Sequence, residues 1–167
     1  MSNLSIYVAD LAAYNAGVLR GAWLDVDGFD KDDLQSSISE LMFKWDCEEY
    51  AFHDYDGFPE MFGEYPNLDG VISYIQAVDQ NDKVAIDAYL TLFDLGDLDQ
   101  FSDRFVGEFD SDQDFVWQYL EDTGELNAIP EHLQIYFDAE AWLRDQVLGG
   151  AFLYASVNSK VYIFTGH

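Results

Sequence analysis

Basic residues are scarce in this chain. Seven Lys and Arg face thirty-three Asp and Glu over 167 residues, a formal net charge of −26. So negative a field repels nucleic acid and anionic membrane, both polyanions, and favours a basic partner or metal counter-ions. Cysteine is almost absent as well. Cys47 stands alone and cannot close an internal disulfide, which fits a reducing compartment. No apolar run is long enough to span a bilayer and no basic, apolar leader opens the sequence, so a cytoplasmic location is expected. Glycine-rich phosphate loops are missing. The three histidines lie far apart without metal-ligand spacing, which argues against zinc.

Apolar residues are plentiful. They make up 49% of the chain and aromatics 17%, enough to fill a sizeable core. A disordered acidic tail is thereby excluded, since such tails are too polar to collapse. The length suits one compact domain or two to three small lobes. Cut at plausible turns, residues 1–57 carry twelve acids and three bases, 58–103 ten and one, and 104–167 eleven and three. The charge is therefore spread evenly along a folded chain. It matches that of about 44 Å of duplex at roughly 1.7 Å per phosphate, against an expected diameter near 40 Å.

The pattern of apolar residues implies an α+β fold. Leu4, Ile6 and Val8 alternate with polar or small neighbours, and Ala22, Leu24 and Val26 repeat the period after a turn at Asn15-Ala16-Gly17. Asp30 to Phe43 has helical spacing through Leu34, Ile38 and Leu41, and Tyr50 to Tyr55 reads as a third strand. The middle of the chain reads as helical throughout, with Asn67 as N-cap before Val71, Ile72, Ile75 and Val78, a break at Asp79–Asp82, and a further helix over 97–105. Asp99 and Asp103 stand four apart on the polar side of that last helix, a like-charge spacing that costs roughly 0.2–0.5 kcal/mol. Ser111 followed by Asp114 resembles a capping box, Thr123-Gly124 ends that helix, and Pro130 suits the first turn of the next. Asp138 caps a helix to Leu148, and a hairpin closes the chain around Asn158-Ser159. We expect a small mixed-sheet lobe over 1–61, a central helical lobe over 62–103 and a C-terminal mixed α/β lobe over 104–167. The four tryptophans are expected mostly in the core.

Two local patterns could carry chemistry. Asp110, Asp112 and Asp114 with Glu121 match the ligand spacing of a twelve-residue calcium loop, which makes an acidic calcium-binding module the alternative function. Phe115, however, stands where that loop needs glycine. His53-Asp54 could be half of a catalytic pair, yet no nucleophile is identifiable, and a histidine packed among aromatics accounts for it better. Paired carboxylates occur everywhere in so acidic a chain and single out no hydrolase site.

Three ordered blocks resemble the ArdA-type antirestriction proteins over nearly the whole length. Ile6-Tyr7-Val8-Ala9 with Tyr14-Asn15, Gly17, Leu19, Gly21 and Trp23 looks like the family's first hairpin. Glu48 to Tyr55 looks like its next signature. Tyr119 to Leu126, with Pro130, Leu133 and Gln134, resembles its antirestriction motif. Phe52 replaces a smaller aliphatic residue typical of the second block, and Ala151 stands where many members carry an acid.

The resemblance implies an elongated, three-lobed subunit and a curved homodimer that imitates bent double-stranded DNA. It implies a non-catalytic inhibitor, carried by mobile elements into a bacterial host. The implied partner is the methyltransferase core, specificity and modification subunits together, of type I restriction-modification enzymes. No cofactor, metal, nucleic acid or membrane is called for. The phosphate-imitating candidates are Asp25, Asp27, Asp32, Asp33, Asp87, Asp94, Asp99, Asp103, Asp110, Asp112, Asp114, Glu121 and Glu125. For the dimer contact the candidates are Phe109, Phe115, Tyr119, Leu126 and Ile129.

Overall fold

The two-residue alternation at the start of the chain builds the centre of a sheet. In the computed structural model, which describes residues 3–166, Leu4, Ile6 and Val8 are buried and strand β1 runs Ser5–Asp10. It lies between β2 (Gly21–Asp25) and β3 (Tyr50–Asp56), antiparallel to both. Ala9 pairs with Gly21 and Tyr7 with Trp23, whose rings meet edge to face at 5.4 Å. The Tyr7 ring also lies across Gly21, where a Cβ would come within 2.5 Å of it, so glycine is what lets that ring pack. A single helical turn that the sequence did not announce, α1 (Leu11–Asn15), links β1 to β2.

Helix α2 (Lys31–Trp45) starts at a capping box. The Asp30 side chain accepts from the Asp33 amide at 2.8 Å and the Asp33 side chain accepts from the Asp30 amide at 3.1 Å. Leu34 and Ile38 bury its inner face. Helix α3 (Leu68–Gln80), capped by Asn67, buries Val71, Ile72, Tyr74, Ile75 and Val78, the spacing expected of one apolar stripe. These elements belong to one compact unit, Met1–Lys83.

The second unit, Val84–His167, opens with α4 (Lys83–Leu92), whose first residue closes the unit before it. A 3-10 turn (Leu95–Gln100) leads into the short α5 (Phe101–Arg104) and then strand β4 (Phe105–Phe109). This corrects the expected helix over 97–105. Phe105 pairs with Phe164 in the sheet and stacks on Phe101 at 5.1 Å, so tertiary pairing overrides the local helical spacing. The Asp99–Asp103 repulsion inferred for one continuous helix loses its basis with it.

Helix α6 (Asp112–Thr123) is capped by Ser111, which accepts from the Asp114 amide at 3.1 Å, and ends at Gly124 in the left-handed region that glycine tolerates. After 3-10 turns at Glu125–Ala128 and Glu131–Tyr136, α7 (Ala139–Leu148) is capped by Asp138. Strands β5 (Phe152–Val157) and β6 (Lys160–Thr165) form the expected hairpin through Asn158 and Ser159, both with positive φ as a two-residue turn of this hand requires. The sheet order is β4-β6-β5. Phe115, Val116, Leu120, Leu143, Phe152 and Ile163 form its core with α6 and α7, while Tyr89, Phe101, Phe105 and Phe164 cluster beside it. The tryptophans are a second correction. Trp23 is half exposed and Trp45 partly exposed, while Trp117 and Trp142, partly exposed as well, pack against the second core without being buried in it.

Candidate functional site: an acidic surface with few counter-charges

Folding puts nearly all the acids on the outside. Of the thirty-three Asp and Glu, only Asp10 is buried, Asp87, Asp97 and Asp112 are half-buried, and the other twenty-nine are exposed. The charge is also divided evenly: seventeen acids and four bases in 1–83 give −13, and sixteen and three in 84–167 give −13 again.

The few bases are largely taken up by the fold. Arg20 reaches the buried Asp10 at 3.4 Å and the Trp45 carbonyl at 3.3 Å. Lys31 of α2 pairs with Asp69 of α3 at 2.9 Å, and Lys160 pairs with Asp110. Arg104 lies over the Phe93 ring at 4.6 Å and donates to Gln100 and to the Thr165 carbonyl. At least four of the seven cations are thus bound locally, so few are left to offset the twenty-nine exposed carboxylates.

The thirteen candidate acids do not all have the same position. Asp25, Asp27, Asp32 and Asp33 are exposed in the first unit, but three of them also serve the backbone. Asp27 accepts from the Leu4 amide at 2.9 Å, Asp25 from the Asp27 amide at 3.3 Å, and Asp33 belongs to the capping box. In the second unit Asp94, Asp99, Asp103, Asp110, Asp114, Glu121 and Glu125 are exposed, and Asp87 and Asp112 half-buried. Asp110, Asp114 and Glu121, with Glu108, come together around a concave surface of about 580 Å³ beside Trp117 and Lys160. Asp112 turns its carboxylate to the Gln113 amide at 2.8 Å instead.

That geometry bears on the calcium spacing. The chain is helical from Asp112 onward, so the open twelve-residue loop on which those ligand positions depend is not formed. Among the described residues, no group of three or more His, Cys, Asp or Glu could hold a metal ion. His53 packs its ring edge-on to Tyr14 at 4.7 Å, and Asp54 accepts from the Tyr55 amide at 2.8 Å rather than orienting the imidazole. Burial pushes the Cys47 thiol above its ordinary value, which disfavours the thiolate.

The dimer candidates sit deeper than their sequence suggested. Phe115 is 1% exposed at the centre of the second core, and Phe109, Tyr119 and Leu126 pack against it, with Ile129 half-buried nearby. The most exposed apolar side chains of this unit are others, Ile135 (81%) and Tyr136 (76%) in the second 3-10 turn and Leu148 (79%) at the end of α7. Ile135 and Tyr136 gave no signal in the sequence because a 3-10 turn has no 3.6-residue period to betray an outward face.

The fold is thus an α+β protein whose exposed surface is strongly polyanionic. The chain belongs to the antirestriction protein (ArdA) family, whose sequence model matches residues 6–158. Members of this family inhibit type I restriction enzymes, and the chain is an antirestriction protein by that membership. No curated protein matches it. No helix among the described residues is long and apolar enough to cross a membrane.

Proposed function

We propose that the protein inhibits by imitating bent double-stranded DNA and occupying the DNA-binding groove of a type I restriction-modification enzyme. The observation that carries this reading is the surface itself, twenty-nine exposed carboxylates with −13 on each unit. Carboxylates take the place of phosphates at the Lys and Arg side chains with which such an enzyme positions DNA without reading its sequence. Counter-ions leave both surfaces on binding, so affinity falls as salt rises. The thirteen acids contribute collectively and none dominates. The three lobes drawn along the sequence are, in this reading, consecutive stretches of one charged ribbon.

The partner is the methyltransferase core, its specificity and modification subunits, in the cytoplasm of a host that a mobile element has entered. The protein acts as a homodimer, and the exposed Ile135 and Tyr136 supply apolar surface for the contact, next to Gln134, which donates to the carbonyls of the candidates Leu126 and Ile129. Competition with labelled duplex for a purified methyltransferase core, at two salt concentrations, tests the proposal. Displacement at near-stoichiometric protein that weakens with salt is expected. No displacement at large excess would overturn it.

A further inference from the structure

One cleft in the first unit offers more than charge. It has a volume of about 520 Å³, within the usual range for a binding site, and lies beside the start of edge strand β3. Tyr50, Tyr65 and Pro66 supply apolar and aromatic wall, and Glu48, Glu49 and Glu64 supply carboxylates.

Backbone hydrogen bonds hold both sides of it. The Leu11 amide donates to the Glu49 carbonyl at 3.2 Å, and the Phe52 amide donates to the Glu64 carbonyl at 2.9 Å. The segment after β3 is tied down again where the Tyr55 hydroxyl donates to the Gly63 carbonyl at 2.5 Å. Tyr50 rests at 5.6 Å on the ring of Phe52, itself buried. A guest therefore meets a preformed cleft and does not have to order it.

The wall and the charge together define the guest. A metal ion gains nothing from tyrosine rings, and the described residues hold no metal-ligating group. A lysine finds the carboxylates, but its compact ammonium makes little use of a flat aromatic wall. A guanidinium is planar, stacks on aromatic faces and accepts paired carboxylates in its fork, while its three methylenes bury against apolar surface. The geometry points to an arginine side chain of the basic partner as the occupant of this cleft. Its source rests on the antirestriction reading above. A phosphate backbone has no aromatic wall of this kind, so the contact adds affinity that duplex DNA cannot match at the same arginine.

The cleft can be tested without the enzyme, by titrating the full-length protein with N-acetyl-arginine amide and with N-acetyl-lysine amide and following its NMR shifts at low salt. Arginine is expected to give saturable shifts centred on Tyr50, Tyr65 and Glu64, with lysine about threefold weaker. Tyr65→Ala, at a side chain two-thirds exposed and so of little consequence for folding, should bring arginine down to the lysine level. Glu40→Gln, at an exposed acid of α2 outside the cleft lining, should change nothing. Equal shifts for the two ligands spread over the acidic surface, or an unchanged arginine preference in Tyr65→Ala, would overturn the inference. Saturable arginine binding without duplex displacement sinks the DNA-imitation reading alone. Duplex displacement without arginine preference sinks the cleft alone.

Discussion

The two units carry equal charge but use their carboxylates differently. In the first, Asp10, Asp25, Asp27, Asp30, Asp33 and Asp54 each accept a backbone amide, closing helix starts and strand ends. In the second, Ser111 and Asp138 cap the longer helices, Asp112 serves its neighbour's amide, and Asp94 opens a 3-10 turn with no side-chain cap bond. An acid that accepts an amide repays part of its repulsion in fold stability; an exposed acid without such a bond only adds to the field. Acidity in this protein is therefore two properties. The second unit shows the one that stability does not explain.

The strongest attempt to break this comparison strips the second unit. Replacing Asp94, Asp99, Asp103, Glu121 and Glu125 by their amides should leave the melting temperature unchanged or raise it, because repulsion is relieved. Inhibition should suffer. In duplex competition over a salt series, the slope of log affinity against log salt should become shallower by about 0.9 for each acid that meets the partner, or about 4.5 if all five do. A lower melting temperature would show these acids to be structural after all, and the two units would be alike.

A single buried acid makes the opposite case. Asp10, 2% exposed, accepts the Ala13 amide at 3.1 Å and meets Arg20 at 3.4 Å. Asp10→Ala removes the cap of α1 and the partner of a half-exposed arginine. It should cost about 2 kcal/mol in urea unfolding, roughly half from the cap and half from the ion pair, which solvent already screens on the arginine side. Surface charge outside hardly changes, so salt dependence of inhibition should stay as it was.

Much of this division could be read from the sequence where a local rule applies. Asn67, Ser111 and Asp138 announced their helices because a capping side chain needs only the next three residues to act. Val71, Ile72, Ile75 and Val78 showed their stripe for the same reason, and Asn158-Ser159 its turn. Strand β4 escaped notice because its partner is β6, more than fifty residues away, and Phe101 and Phe105 have helical spacing until that pairing forms. The buried place of Phe115 was hidden likewise, since an apolar residue at helical spacing does not say whether its face meets the same chain or another. The candidate acids were recognisable as a group. Which of them serve an amide depends on loop geometry, as with Asp27 and the Leu4 amide twenty-three residues away.

Neighbouring acids of α2 sharpen the comparison within one turn. Asp32 and Asp33 are both exposed in the first turn, and both feel the helix dipole. Asp33 alone closes the capping box, at 3.1 Å to the Asp30 amide. Asp33→Ala should therefore cost about 0.5–1 kcal/mol more stability than Asp32→Ala in urea unfolding. Each removes one surface charge, so the two should weaken duplex displacement equally. Equal stability losses would mean that the box contributes nothing beyond the dipole.

The smallest effect concerns Tyr55, whose hydroxyl donates to the carbonyl of Gly63, the residue before Glu64 of the cleft lining. Burial pushes its hydroxyl up from 10.0 to about 12, so the folded chain keeps this proton where the unfolded chain releases it. The sign follows directly. Below pH 10 both states are protonated and the contribution is complete; between pH 10 and 12 the unfolded state ionises first, and stability falls. Tyr55→Phe removes that dependence. The urea midpoint of the wild type should therefore drop more between pH 9 and pH 11 than that of the variant, by a modest margin since the ring is only partly buried. Because the same hydroxyl ties down the segment bearing Glu64 and Tyr65, its ionisation should also loosen arginine binding to the cleft, a loss that carboxylates on the second unit have no means to share. Identical midpoints in the two proteins at both pH values would remove Tyr55 from the account and leave the cleft held by its backbone bonds alone.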